Sequence, residues 1–82
     1  MPVSSLIIRT EPEQTQKVRS QLHEWKGVSV EAVDGINIVI VTETETQKQD
    51  KELWKSIESL AGVLQCDLIY HNFEDDAGVG RG

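Results

Sequence analysis

The segment Gly62-Val63-Leu64-Gln65-Cys66-Asp67-Leu68-Ile69-Tyr70-His71-Asn72-Phe73 alternates in polarity. On an extended chain Leu64, Cys66, Leu68 and Tyr70 share one side, and Gln65, Asp67, Ile69 and His71 share the other. One side is greasy and the other mixed. Such a strand covers a core on one side and leaves the other to water or a partner. The reading that follows is a sheet with helices on one side only.

Working back from this strand, Leu53, Trp54, Ile57, Leu60 and Ala61 give the clearest helical period in the chain, and Gly62 stops it. An earlier stretch repeats the spacing. Val18, Leu22, Trp25, Gly27 and Val28 echo Leu53, Ile57, Leu60, Gly62 and Val63. The first helix is expected from about Pro12 to Trp25, with Thr10 as its cap and proline tolerated in its first turn. Before it, Ser4 to Arg9 reads as a strand with both sides at least partly apolar. After Gly27 a second strand is expected over Val28 to Val33, with Val28, Val30 and Ala32 on one side and Ser29, Glu31 and Val33 on the other. Asp34-Gly35 signals a two-residue hairpin of type I′. The third strand, Ile36 to Thr42, is apolar on both sides.

Two strand-helix-strand units joined by a hairpin make β-α-β-β-α-β, the ferredoxin-like α+β plan. Right-handed crossovers put both helices on one face of a four-stranded antiparallel sheet. The order 4-1-3-2 places the two doubly apolar strands at the centre. One domain is expected over residues 1–73. The tail, residues 74–82, is acidic and then glycine-rich, and is expected to be disordered.

Size and charge narrow the function. At 82 residues, with 38% hydrophobic and 27% charged residues, the chain suits a small soluble domain. A net charge of −6 argues against nucleic acid and favours a basic partner, or serves only solubility. The single cysteine, Cys66, excludes an internal disulfide, and with no signal-peptide pattern the expectation is a cytoplasmic protein. No apolar run approaches the roughly 20 residues of a membrane span.

Chemistry finds little support. There is no C-x-x-C or H-x-x-x-H, so no metal or cofactor is expected. Glu74-Asp75-Asp76 reads as a solvated acidic stretch rather than a chelator. Gly78-Val79-Gly80-Arg81-Gly82 has no strand close before it and no helix after it, so it is not a phosphate cradle. Glu11 and Glu13 repel an anion from the start of the first helix. Cys66 on the core side behaves as a small hydrophobe. His71 is a surface or hydrogen-bonded residue, or a contact for a partner. Trp25 and Trp54 read as core. No enzyme is expected.

The open side is therefore the candidate site. Ser5, Ile7, Arg9, Val39, Val41, Asp67, Ile69 and His71 are expected there, with Gln65 beside them. A mixed apolar and polar patch of this kind suits an amphipathic helix, or self-association through that face or the edge strands.

Three stretches carry a resemblance: Ser4-Ser5-Leu6-Ile7-Ile8-Arg9, Trp25-Lys26-Gly27-Val28, and Gly62 to His71 with acidic residues after it. From Ser4 to Asp76 the chain resembles the NapD family, small cytoplasmic chaperones for assembly of the periplasmic nitrate reductase. The resemblance implies a ferredoxin-like fold and a ligand. That ligand is the twin-arginine signal peptide of the molybdenum-containing catalytic subunit, bound as a helix on the sheet so that export waits for cofactor loading. Asp67, Glu31 and the tail carboxylates are then candidate partners for the arginines, and Arg9 must point away from them or pair with Asp67. A monomer or weak dimer without membrane insertion is expected. The alternative is a small-molecule-sensing or oligomerising regulatory domain similar to ACT or Lrp-type modules.

Overall fold

Residues 1–73 are described by the computed structural model. Six elements follow in order: β1 (Pro2–Thr10), α1 (Thr15–His23), β2 (Val28–Asp34), β3 (Asn37–Glu43), α2 (Gln47–Glu58) and β4 (Val63–Phe73). The strands form one antiparallel sheet in the order β2-β3-β1-β4. This is the ferredoxin-like plan, with the doubly apolar strands at the centre. The tail expected to be disordered lies outside the described residues.

Alternation along the central strands sorts the two sides. Ser4, Leu6, Ile8 and Thr10 of β1 and Ile38, Ile40 and Thr42 of β3 are buried. Leu6, Ile8, Ile38 and Ile40 pack with Val18 and Leu22 of α1 and Ile57 of α2, so both helices lie on that side. Trp25 and Trp54 pack partly buried against the same cluster.

The internal echo is a repeated turn. In each half a glycine of positive φ stands four residues beyond the last helical residue: Gly27 at 83° and Gly62 at 95°. The flanking hydrogen bonds repeat too. Trp25 N donates to Leu22 O and Val28 N to Trp25 O, as Leu60 N donates to Ile57 O and Val63 N to Leu60 O. A Cβ at Gly62 would stand 2.7 Å from Gln14 Cβ, so that turn requires glycine for space as well as for φ.

Local details depart from the sequence pattern. α1 is shorter than expected, and Gln14 rather than Thr10 stands at its N-cap, without a side-chain cap bond. Thr10 instead bonds the hydroxyl of Thr15 and donates to Ile36 O at 3.0 Å. α2 begins at a capping pair: Gln49 N donates to Thr46 Oγ1, and Glu45 N to Gln49 Oε1. This is the Ser/Thr-x-x-Glu/Gln signal, present as Thr46 and Gln49. The hairpin loop is Gly35-Ile36, since Asp34 pairs with Asn37. Positive φ at Gly35 alone is the pattern of type II′, not I′.

Both edge strands carry bulges. In β2 the register shifts between Val30 and Ala32, leaving Glu31 without a partner. In β4 it shifts twice, leaving Leu64 and Ile69 unpaired. Each extra residue reverses the facing of everything beyond it. Val33 therefore joins Val28 and Val30 on the helix side, and Ala32 crosses to the open side, the reverse of the expected assignment.

Candidate functional site

Residues paired across antiparallel strands face the same way, so the register writes out the open side in rows. Ser29, Val41, Ser5 and Tyr70 make one row. Ala32, Val39, Ile7 and Asp67 make the next. Asp34, Asn37, Arg9 and Gln65 close one end, and Glu43 and Val3 lie at the other. Val39, Val41, Ile7 and Val3 form a half-buried apolar strip down the centre. Polar residues and Tyr70 surround it.

Of the residues expected there, Ser5, Ile7, Arg9, Val39, Val41 and Asp67 are brought together on this side. Ile69 sits in the bulge and is exposed. His71 is a correction. The Ile69 bulge turns it to the helix side, opposite Ser4, and puts Tyr70 on the open side, opposite Ser5. The same shift corrects the greasy side of β4: Tyr70 does not share it. Leu64, unpaired in its own bulge, is 57% exposed, and Leu68, although on the helix side, is 49% exposed because it lies on an edge strand. Cys66 remains half-buried against the core.

Asp67 accepts both of its contacts from Gln65 Nε2, at 2.9 and 3.0 Å. Arg9 is exposed in the end row and makes no ion pair among the described residues. Of the two alternatives expected for Arg9, pairing with Asp67 is not the one seen, since Asp67 accepts from Gln65.

The helix side holds a polar cluster that sequence reading missed. Asp50, in the first turn of α2, is fully buried. Ser4 donates to its Oδ2 at 2.8 Å and Thr42 to its Oδ1 at 3.1 Å. With the Ser4 proton committed to the carboxylate, His71 Nδ1 donates to Ser4 Oγ at 2.6 Å. The imidazole also stands 3.8 Å from Asp50 and edge-on to Trp54, with ring centroids 5.5 Å apart. This network pins α2 to β1, β3 and the end of β4. A signal existed: Asp50 is the first member of the 50, 53, 54, 57 stripe, an acidic residue on an apolar face.

Burial first, then the carboxylates of Glu58 and Asp67, push the Cys66 thiol up to about 11, which suppresses the nucleophilic thiolate. Among the described residues no group of three His, Cys, Asp or Glu is placed to hold a metal ion. No helix there is long and apolar enough to cross a membrane. The open side suits binding: an apolar strip along the two central strands, with a polar border.

The model of the NapD protein family matches residues 1–75. The proteins named Chaperone NapD of Escherichia coli K12, E. coli O157:H7 and Shigella flexneri are each 27% identical to this chain over 75 residues, covering 89% of it and 86% of the relative. The solution structure of the E. coli Tat proofreading chaperone protein NapD shares the fold, with a TM-score of 0.79 and 24% identity over 98% of this chain and 86% of that one. These relatives are named as chaperones.

Proposed function

The chain belongs to the NapD family of chaperones, and from that premise we propose that the open side of its sheet binds the twin-arginine signal peptide of a periplasmic nitrate reductase catalytic subunit. By holding the peptide in the cytoplasm, the chaperone restrains export until cofactor loading is complete. The observation that carries this reading is the apolar strip of Ile7, Val39 and Val41, on the side of the sheet opposite both helices. From Asn37 to Glu43 the open face of β3, with the strip at its centre, runs about 20 Å at ~3.3 Å per residue. A helix of about 13 residues has that length at 1.5 Å per residue, and an apolar helical stripe on the strip removes both from water. A twin-arginine peptide also begins with positive charge, which a chain of net charge −6 attracts.

The test is titration of labelled protein with a synthetic twin-arginine peptide, followed by NMR shifts. The largest shifts are expected at Ser5, Ile7, Val39, Val41 and Tyr70. Ile7→Asp is expected to weaken binding at least about tenfold while the circular dichroism spectrum is kept. Unchanged affinity in both Ile7→Asp and Val39→Asp moves the site off this face.

A second reading, an oligomerising regulatory domain, draws on β4. Leu64, Leu68, Ile69 and Tyr70 are all exposed on this long edge strand, and such an edge invites strand pairing between copies. Sedimentation separates the readings: a monomer independent of concentration counts against the second.

A further inference from the structure

At the Glu43 end of the sheet an open groove of about 790 Å³ lies between the start of β2 and α2. Val28 and Leu53 give it an apolar floor. Glu43, Glu45 and Glu52 stand around it, with Lys26 and Met1, the latter already partnered. The groove opens onto the face described above, because Val41, Ser29 and Glu43 line it and belong to the open side by register. Gly27 shapes its wall. Glu43 N donates to Gly27 O at 2.8 Å, and a Cβ at Gly27 would stand 2.7 Å from Glu43 O. The two strands thus meet closely here, and the Glu43 backbone is held where the groove begins.

The opposite end of the sheet is different in kind. Exposed Arg9 stands there, in one row with exposed Asp34, about 20 Å away by the strand rise. The carboxylate nearest the apolar strip, Asp67, already accepts from Gln65. A guanidinium pair laid at that end meets Arg9 against the one carboxylate of that row, Asp34, whereas the groove sets three glutamates against Lys26 and Met1.

We propose that the groove takes the paired arginines of the bound signal peptide, so that the peptide's apolar stretch then runs over Val41, Val39 and Ile7 toward the Gly35 hairpin. This rests on the peptide-binding reading above and adds its direction. The chemistry is guanidinium against carboxylate, a planar donor fork that a carboxylate accepts through two oxygens. The Val28 and Leu53 floor receives the aliphatic part of the arginine side chains.

A nitroxide label placed beside the arginine pair of a synthetic twin-arginine peptide reads the direction. Paramagnetic broadening is expected at the amides of Gly27, Glu43 and Glu45. Broadening at Arg9, Gly35 and Asn37 instead overturns the proposal. In a second measurement, the Glu45→Gln, Glu52→Gln double variant is expected to bind the peptide about tenfold more weakly, and to bind a Gln-Gln version of the peptide as the parent protein does. Equal affinity of parent and double variant for the twin-arginine peptide overturns the groove assignment. If Ile7→Asp still weakens binding in that case, the face remains the site and only the groove falls. A twin-arginine peptide that fails to bind the parent protein overturns both.

Discussion

Asp50 is a carboxylate buried beneath its own helix, and its contacts make its removal costly. Ser4 and Thr42 are fully buried and spend their hydroxyl protons on it. Without an acceptor each hydroxyl is stranded, at about 1–3 kcal/mol apiece. Asp50→Ala is therefore expected to destabilise the fold by about 2–4 kcal/mol in urea unfolding, and Asp50→Asn by less, since one carbonyl acceptor remains. A loss below about 1 kcal/mol for Asp50→Ala would mean the hydroxyls find other acceptors. Cys66 makes a second residue-scale prediction. With the thiol at about 11 in the fold and 9.0 as its ordinary value, the thiolate at pH 8 is about a thousandth of the folded protein and about a tenth of the unfolded one. Iodoacetamide is expected to modify folded Cys66 about a hundredfold more slowly than the urea-unfolded chain. The sign follows from the thiol being favoured in the fold: this contribution to stability is full below pH 9 and lost as the pH rises toward 11. Equal rates at pH 8 would place Cys66 in solvent.

At the scale of elements, the two halves of the chain end their helices in the same way and then diverge. Gly27 faces the backbone of β3, whereas Gly62 faces Gln14 and Val18 at the start of α1. Gly62→Ala combines a positive φ with a near-contact of 2.7 Å to a side-chain Cβ. It is expected to destabilise by about 1–3 kcal/mol, measured as a lower urea midpoint at constant m-value. A neutral substitution would show that the turn relaxes freely. The bulges matter more for function. The extra residue at Ile69 lets Tyr70 reach the open side while His71 holds the helix side through Ser4. An unbroken strand that keeps Cys66 and Leu68 on the helix side turns Tyr70 inward and His71 outward.

For the whole molecule the division of labour is between the two sides of one sheet. Leu6, Ile8, Ile38 and Ile40 build the core with the helices, and Ile7, Val39 and Val41 between them form the strip. Charge acts at longer range. With a net −6, association with a basic peptide is expected to slow about tenfold or more between roughly 0.05 and 0.5 M salt, while the dissociation rate changes little. Stopped-flow fluorescence on Trp25 and Trp54 or on a labelled peptide measures this. A rate independent of salt would remove electrostatics from the encounter.

Much of this architecture was legible in local pattern. The 3.6-residue stripes, the paired Gly-Val stops and the two doubly apolar strands imply the element order, the sheet order and a bare side, because each reports on a contact within one element or on burial from both sides. The open strip of Ile7, Val39 and Val41 follows from uninterrupted alternation in β1 and β3, where every residue has a partner on the neighbouring strand. What could not be read there is where a pleat slips. Glu31, Leu64 and Ile69 look like ordinary strand residues, and a bulge arises from how an edge strand fits its single neighbour and the helices above it. Once Ser4, Asp50 and His71 find one another across 46 and 67 residues of chain, the end of β4 must turn its histidine inward. The alternation that pointed His71 outward then yields, because a period of two has no means of registering one residue too many.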